Sequence, residues 1–348
     1  MKMTIRNSFI VATVGSFASE LPTSTSYEAQ WEQFKSTYAK VYSQDSDSNL
    51  LGGTNEERLR FEIFKSNLIL VRTRNAQNLT YTLGLNEFAD MTAEEFFSSH
   101  TGLLPSSPSL DGLPHLGTHE HRGTELPSEV DWEVEGKVTP AKNQGQCGAC
   151  WAFSATGALE AAWAIETGDL LSLSEQQLVD CEHVDDNCKG GLMDHAFAYA
   201  MKFPVCTESS YAYEHKFGTC RKSCGVGIPK GSVTGFMDVQ ESESSLMDAL
   251  VQQPVSVAIE GDKRDFQLYK SGVLSGACGS KVNHGVLAVG YGTLDGEAYW
   301  KVKNSWGPSW GEKGFVKIHR SQRSPGECGI LSGPLSYPVV SSGPDIVV

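Results

Sequence analysis

Cys150 is the residue in this chain whose local sequence best suits a nucleophile. Residues 151–167 are apolar with helical character, and Gly168 ends the stretch, so Cys150 lies at the start of a predicted helix. A thiol attacks a carbonyl carbon as the thiolate, and a helix N-terminus favours that charged form. The loop of residues 144–149 delivers the thiol to this helix end.

A nucleophilic thiol also needs a base. Of the nine histidines, His284 stands at the start of a predicted apolar strand, where a side chain can face a cleft. Position alone leaves two interpretations open, a catalytic base and a buried histidine with satisfied hydrogen bonds. Asn304 ends another predicted strand and could orient an imidazole. The Gln144 amide could donate to a developing oxyanion, an effect of about 3 kcal/mol where it has been tested.

The Cys147-x2-Cys150 spacing has two rival uses. A zinc site would need a second pair, and Cys181 and Cys188 are too far apart in sequence for the usual zinc knuckle. A thioredoxin-like redox site would need a surrounding βαβ pattern, which the sequence lacks. We therefore favour a nucleophile over a metal site, and we predict no metal or other cofactor.

The charge of the chain argues against two kinds of partner. The formal net charge is -14, and no basic stripe could follow a phosphate backbone, so we expect no nucleic-acid partner. An acidic surface binds anionic membranes poorly, and no later apolar run approaches the roughly 18 residues that span a bilayer. Solubility is the simpler explanation of the acidity.

The N-terminus and the cysteines point to the secretory pathway. Residues 1–6 carry basic charge, residues 9–17 are mostly apolar, and small residues surround Ala18, so residues 1–18 are predicted to be a signal peptide. A disordered tail is the alternative. All nine cysteines follow residue 146. With such a leader, they indicate disulfides formed in an oxidising compartment, and their odd number leaves at least one free thiol.

Composition divides the rest of the chain into zones. Residues 27 to about 97 are predicted to be helical, because aromatic and aliphatic residues recur at helical spacing on both sides of a polar break at 44–55. Residues 98–125 are rich in Ser, Pro, Gly and His and have no period, which predicts an exposed linker open to proteases. Its histidines could bind a metal, although chance histidines in a loop are favoured: His115, His119 and His121.

From Leu126 onward the pattern predicts a helical half followed by a β half, an α+β fold. Helices are expected from Cys150, from a capping box at residues 174–177, and over 193–201. Strands are expected over residues 254–259, 286–291, 299–303 and 315–319, with Asp295-Gly296 as a hairpin turn.

Residues 144–154, Gln-Gly-Gln-Cys-Gly-Ala-Cys-Trp-Ala-Phe-Ser, resemble the papain family of cysteine proteases. His284 and residues 304–311, Asn-Ser-Trp-Gly-Pro-Ser-Trp-Gly, resemble the His and Asn motifs of that family. The earlier part of the chain resembles the interspersed ERFNIN and GNFD motifs of cathepsin L-like pro-regions. The matching residues are Glu56, Arg60, Phe64, Asn67, Val71 and Asn75, then Gly84, Asn86, Phe88 and Asp90.

The resemblance implies a precursor with a helical inhibitory pro-region at residues 19–125 and a mature peptidase at 126–348. The mature part would have the papain-like two-lobed fold, with a helical lobe (126–235), an antiparallel β-barrel-like lobe (236–348) and a cleft between them. Cys150 and Gln144 would come from the first lobe, and His284 and Asn304 from the second. No occluding insertion follows Cys188, which favours an endopeptidase.

The resemblance also implies the disulfides Cys147–Cys188, Cys181–Cys220 and Cys278–Cys328. Cys206 and Cys224 have no counterpart in papain itself. We expect them to form a fourth bridge that leaves Cys150 free, and two free buried thiols are the alternative.

The substrate site is implied by the same motifs. Gly190 and Gly191 would pair with substrate backbone as a strand does. The pocket for the residue two before the scissile bond would be apolar, with Gly333 at its base. The other predicted binding residues are Leu192, Met193, Ala258, Val282, Gly285 and Trp306.

Several further expectations concern partners and processing. The expected partners are protein and peptide substrates, the chain's own pro-region and cystatin-type inhibitors, and the enzyme would be a monomer. Maturation would cut between about Arg122 and Leu126, in a lysosome, a vacuole or outside the cell. Asn78 is a glycosylation acceptor that would leave with the pro-region. A peptide ligase and a non-catalytic binding protein on the same fold remain the alternatives.

Overall fold

The structure is a computed structural model that describes residues 24–42, 56–104, 115–322 and 324–342. The predicted signal peptide and the whole polar break at residues 44–55 lie outside the described residues. The chain divides into two compact units, Met1–Ser43 and Gln44–Val348. None of the described helices is long and apolar enough to cross a bilayer.

The first unit contains one described helix, α1, at Ser24–Thr37. Its aromatic residues recur at the helical spacing that the sequence indicated. The rings of Trp31 and Phe34 are stacked with their centroids 5.5 Å apart.

The second unit begins with the rest of the predicted pro-region, which forms α2 (Glu56–Asn75), β1 (Tyr81–Leu83) and α3 (Ala93–His100). Helix α2 buries one stripe of side chains, Phe64, Asn67, Leu68 and Val71, as its periodicity predicted. Helix α3 begins with a complete capping box between Thr92 and Glu95, which the sequence analysis did not identify.

The helical half of the mature region contains α4 (Cys150–Thr167), α5 (Glu175–Cys181) and α6 (Met193–Lys202). Helix α4 is buried along most of its length and ends at Gly168, whose φ of 87° favours glycine. Ser174 caps α5 by accepting from the Gln177 N–H, but the Gln177 side chain turns to the Cys206 N–H instead. The predicted capping box is therefore only half formed.

The β half is built on one ten-stranded sheet. The strands predicted over residues 254–259, 286–291, 299–303 and 315–319 are confirmed as β7 (Val255–Ile259), β9 (His284–Leu294), β10 (Glu297–Lys303) and β11 (Phe315–His319). The central hairpin joins β9 to β10 through Asp295 and Gly296, both at positive φ, as a tight turn requires. The elements that were not predicted are β2 (His115–His119), β3 (Val130–Asp131), the separate pair β4 (Val205–Cys206) and β5 (Val226–Ile228), β6 (Val233–Val239), α7 (Glu243–Gln252), α8 (Arg264–Gln267), β8 (Tyr269–Leu274) and β12 (Ser336–Val340).

The sheet is an open, mixed sheet rather than a closed antiparallel barrel. Its strand order is β1-β8-β11-β10-β9-β7-β12-β6-β2, with β3 on β9, and β11 pairs with β8 in parallel. The predicted pro-region supplies both end strands, since β1 lies on β8 and β2 lies on β6. The expected lobe boundary at residue 235 falls inside β6.

Part of the predicted exposed linker forms strand β2, in which His115, Leu116 and Thr118 are exposed. Strand β2 pairs with β6 in parallel, and His115 lies 2.9 Å from the Asp238 carboxylate. His119 and His121 lie 3.3 and 3.4 Å from the carboxylate of Asp248. Composition could not predict this, because the segment's hydrogen-bonding partners are more than a hundred residues away in sequence.

Candidate active site

Cys150 is the first residue of α4, and its side chain is fully buried. The Gly285 N–H contacts the Cys150 Sγ at 3.4 Å, so the thiol lies against the start of β9. Helix α4 is fixed to the sheet further along, since the Ser154 hydroxyl donates to the Val286 carbonyl at 2.7 Å. The structure therefore brings Cys150 and the residue next to His284 together, although 134 positions separate the two candidates in sequence.

His284 is fully buried, and its two ring nitrogens have different surroundings. Its Nε2 lies 2.8 Å from the Asn304 amide oxygen. An amide oxygen can only accept, so Nε2 carries the proton and Nδ1 holds a lone pair. In the described part of the chain, Nδ1 has no hydrogen-bond partner. The ring also stacks on Trp306 at 4.7 Å, which fixes its plane.

Burial keeps this pair neutral in the precursor. Burial raises the pKa of the Cys150 thiol to about 12, although backbone N–H groups, Gly285 first among them, oppose the shift. Burial lowers the pKa of His284 to about 4, against the hydrogen bond to Asn304. The resemblance implies a thiolate–imidazolium pair, which therefore requires water or substrate to reach the site first.

The cover over the thiol is a short part of the predicted pro-region, residues 101–104, which we call the pro-segment. The Gly191 N–H donates to the Gly102 carbonyl at 3.0 Å, and the Leu104 N–H donates to the Gly191 carbonyl at 3.2 Å. This pairing is parallel, centred on Leu103. Gly102 passes so close to Gly148 that a Cβ would lie 2.1 Å from the Gly148 carbonyl oxygen.

Gln144, which was expected to stabilise an oxyanion, is also occupied. The Gln144 Nε2 lies 3.3 Å from the His100 carbonyl oxygen, and the Trp306 Nε1 donates to the same oxygen at 3.1 Å. The Ser305 hydroxyl donates to the Gln144 amide oxygen at 2.6 Å, so the amide plane is held. A pro-region carbonyl therefore fills the position where these donors converge.

The predicted pocket residues form two contacting groups. A Cβ on Gly333 would lie 2.6 Å from the Ala258 Cβ and 3.3 Å from a Val282 methyl, so these three residues adjoin. A Cβ on Gly285 would lie 3.2 Å from the Met193 sulfur. Leu192 and Met193 are both buried. The side chains at this place are thus apolar.

The pro-region contacts the later part of the chain around α8 through neutral hydrogen bonds and through contacts with the charged residues Arg264 and Asp265. The Asn86 side-chain amide donates to the Gln267 carbonyl, and the Gln267 side chain donates to the Phe88 carbonyl at 2.9 Å. Arg74 forms an ion pair with Asp265 at 3.1 Å. Asp265 and Gln267 were not predicted from the sequence, because no local pattern marks a residue whose partner lies about 180 positions earlier.

All nine cysteines lie within the described ranges, and Cys150 is the one without a disulfide partner. Because Cys147 is oxidised, the Cys-x-x-Cys segment has no pair of thiols for zinc or for dithiol redox chemistry. Cys206 and Cys224 are bonded to each other. The four bridges are Cys147–Cys188, Cys181–Cys220, Cys206–Cys224 and Cys278–Cys328.

Comparison with known proteins defines the class of both parts of the chain. Residues 31–96 match the cathepsin propeptide inhibitor domain (I29), and residues 126–338 match the papain family of cysteine proteases. The chain belongs to the papain family of cysteine proteases, and it carries its own propeptide inhibitor domain.

Individual relatives agree with this assignment. The chain is 42% identical over 330 residues to the senescence-specific cysteine protease SAG39 of Oryza sativa subsp. japonica, covering 92% of this chain and 93% of that protein. It is 47% identical to the probable cysteine protease RD21B of Arabidopsis thaliana over 84% of this chain, which is 63% of the length of RD21B. The ragweed pollen cysteine protease Amb a 11, solved in its proform, aligns with a TM-score of 0.80 at 36% identity, covering 92% of this chain and 97% of that one.

Proposed function

We propose that the mature enzyme hydrolyses internal peptide bonds with Cys150 as nucleophile and His284 as general base and acid. The observation that carries this proposal is the state of His284. Its Nε2 is tied to Asn304 while Nδ1 keeps a free lone pair, and the neighbouring Gly285 N–H touches the Cys150 sulfur. Cys150, His284 and Asn304 therefore provide the nucleophile, the base and the group that orients the base, which covalent catalysis requires.

The reaction follows once the pro-segment leaves. Water or substrate enters, the Cys150 proton moves to His284 Nδ1, and the thiolate attacks the substrate carbonyl. The oxyanion takes the place of the His100 carbonyl and accepts from the Gln144 Nε2. His284 then protonates the leaving amine, and water hydrolyses the thioester.

Activation at acid pH is proposed to depend on Glu95. Its carboxylate accepts from the Thr92 N–H at 2.9 Å and from Arg60 at 2.8 Å. Burial raises the pKa of Glu95, but these hydrogen bonds outweigh it and the net pKa is lowered. The stabilisation is therefore present above the ordinary carboxyl pKa and is lost as pH falls through the folded-state pKa. From the sequence we expected Glu87, Asp90 and Glu94 to have this role rather than Glu95, and of these Glu87 accepts from the Ser309 hydroxyl at 3.0 Å.

The proposed specificity is a preference for Leu or Phe over Arg two residues before the scissile bond. An apolar side chain gains roughly 1.5–3 kcal/mol on burial. A cation beside Gly333, Ala258 and Val282 would be desolvated next to apolar groups, which costs several kcal/mol. We expect at least about a tenfold difference in kcat/KM, since ~1.4 kcal/mol already gives that factor.

The remaining assignments also stay proposals. Residues 122–125 are exposed, which supports maturation between Arg122 and Leu126. Asn78 is exposed and supports glycosylation of the pro-region. Four disulfides support passage through the secretory pathway to a lysosome, a vacuole or the outside of the cell. We also propose that the enzyme is a monomer and that cystatin-type proteins inhibit it.

The test is acid incubation of the purified precursor with a fluorogenic peptide, with and without an epoxide thiol inhibitor, followed by mass spectrometry of the labelled protein. We expect activity to appear with processing and to disappear with one label on Cys150. Activity that survives full labelling of Cys150 would refute the proposal. A competing amine separates hydrolysis from ligation, because a ligase would yield the amide product.

A further inference from the structure

A buried Asp–His pair lies immediately behind the segment that holds the pro-segment. Asp185 precedes the turn at Asn187–Lys189, and its side chain is fully buried. His195 is on α6, with 10% of its side chain exposed. The His195 Nδ1 lies 2.7 Å from the Asp185 Oδ1. Neither residue belongs to the candidate catalytic set.

Asp185 supports the backbone of residues 190–192 directly. The Leu192 N–H donates to the Asp185 Oδ1 at 3.2 Å. A Cβ on Gly191 would lie 2.7 Å from the Asp185 Oδ2, so the carboxylate packs against the Gly191 main chain. On its other side, Gly191 uses its N–H and its carbonyl to pair with Gly102 and Leu104. The Asp185 carboxylate therefore packs against one side of residues 190–192, and the opposite side of these residues binds the extended pro-segment.

Acidic residues on the neighbouring elements affect the protonation of the Asp185–His195 pair. Glu182, at the end of α5, accepts from the Asp185 N–H at 2.8 Å and raises the pKa of both members. Asp194 on α6 is bonded to Ser336 and favours a charged His195. Burial raises the pKa of Asp185 to about 6, against the hydrogen bond to His195. That hydrogen bond also raises the pKa of His195, against burial.

We propose that Asp185, held by His195, is a positioning residue for substrate binding that fixes residues 190–192 for pairing with an extended peptide. This inference rests on the proposed function and deepens it. An ionised Asp185 accepts the Leu192 N–H more strongly than a protonated one, because charge-assisted hydrogen bonds are stronger. Substrate binding should therefore strengthen as pH rises through the titration of the pair.

The experiment compares KM and kcat of the matured enzyme and its variants on one peptide substrate between pH 5 and pH 7. Asp185→Ala leaves the Leu192 N–H without its acceptor, and we expect KM to rise about 5- to 100-fold while kcat stays within about twofold. Asp185→Asn keeps an oxygen acceptor without the charge, so KM should recover largely and lose its pH dependence. Asp186→Asn is the matched control, since Asp186 is adjacent and exposed.

The outcomes separate this inference from the proposed function. If the unmutated enzyme has no peptidase activity, the proposed function itself is wrong. An active Asp185→Ala enzyme with unchanged KM, or with a loss confined to kcat, overturns the positioning role alone. If Asp185→Ala does not fold, Asp185→Asn decides, because an unchanged pH dependence of KM overturns the inference.

A second measurement needs no turnover. The rate at which iodoacetamide alkylates Cys150 in the intact precursor reports how firmly residues 190–192 hold the pro-segment. Asp185→Asn should raise this rate at pH 7 relative to Asp186→Asn, and equal rates in the two variants contradict the inference.

Discussion

Gly102→Ala should open the precursor without touching the candidate catalytic groups. A Cβ at this position would lie 2.1 Å from the Gly148 carbonyl oxygen and 2.6 Å from its carbon. Ordinary contacts with a Cβ are 3.4 Å or more, and both opposing atoms belong to the main chain. Neither atom can rotate away as a flexible side chain would, so the pro-segment must move out by more than an ångström.

The magnitude follows from that overlap. Overpacking typically costs 1–3 kcal/mol. Because the atoms that clash with the new Cβ belong to the main chain, we expect a cost near the upper end of that range, at about 3 kcal/mol. Since about 1.4 kcal/mol is a factor of ten, the fraction of precursor with an uncovered thiol should rise about 100-fold. The motif contacts around α8 are unchanged, so the pro-region should remain attached.

The assay is the initial rate of Cys150 alkylation in intact precursor at neutral pH, with electrophoresis to show that no processing has occurred. Ser98→Ala is the matched control, because Ser98 is exposed on α3 and its hydroxyl donates to the Glu95 carbonyl of the same helix. Alkylation of Gly102→Ala and Ser98→Ala at the same rate as the unmutated precursor would refute this reasoning.

Two further predictions concern activation and specificity. Glu95→Gln removes a charge that pairs with Arg60 at a partly exposed site. We expect a loss of at most about 1 kcal/mol in pro-domain stability at neutral pH, no difference once pH has fallen below the folded-state pKa of Glu95, and an activation midpoint at higher pH. Identical activation profiles of the two precursors would contradict this. Gly333→Glu should raise acceptance of Arg above the pKa of the new carboxylate, but only after the 2.6 Å overlap with Ala258 is relieved. Gly333→Glu combined with Ala258→Gly should therefore cleave Arg substrates better than Gly333→Glu alone, and no gain of kcat/KM for Arg in either variant would refute our placement of the pocket.

The elements that carry the candidate catalytic groups were predictable from local sequence. Cys150 begins α4 because an apolar helical stretch starts there and Gly168 ends it. His284 begins β9 and Asn304 follows β10, where alternating and β-branched residues predicted strands. Patterns of this kind depend on neighbours along the chain, so a single sequence contains them.

The long-range contacts of β2 and of Asp185 were not predictable from one sequence. Strand β2 has no apolar alternation, and its stability comes from β6 and from Asp238 and Asp248. In the sequence, nothing distinguishes Asp185 from other polar loop residues, and only the fold shows that its carboxylate packs against Gly191. In each case the partner is distant in sequence or its role depends on packing, so neither composition nor periodicity indicates it.

The central claim is that Cys150 and His284 form a pair which the pro-segment keeps neutral. The most direct measurement is the rate of Cys150 alkylation at pH 6 in three proteins: intact precursor, matured enzyme and matured His284→Ala enzyme, the last processed by added protease. An ordinary thiol is almost fully protonated at that pH. The account predicts that the matured enzyme reacts at least about 100-fold faster than both other proteins, because only it can form the thiolate–imidazolium pair. Equal rates in precursor and matured enzyme, or an unimpaired rate in the His284→Ala enzyme, would contradict it.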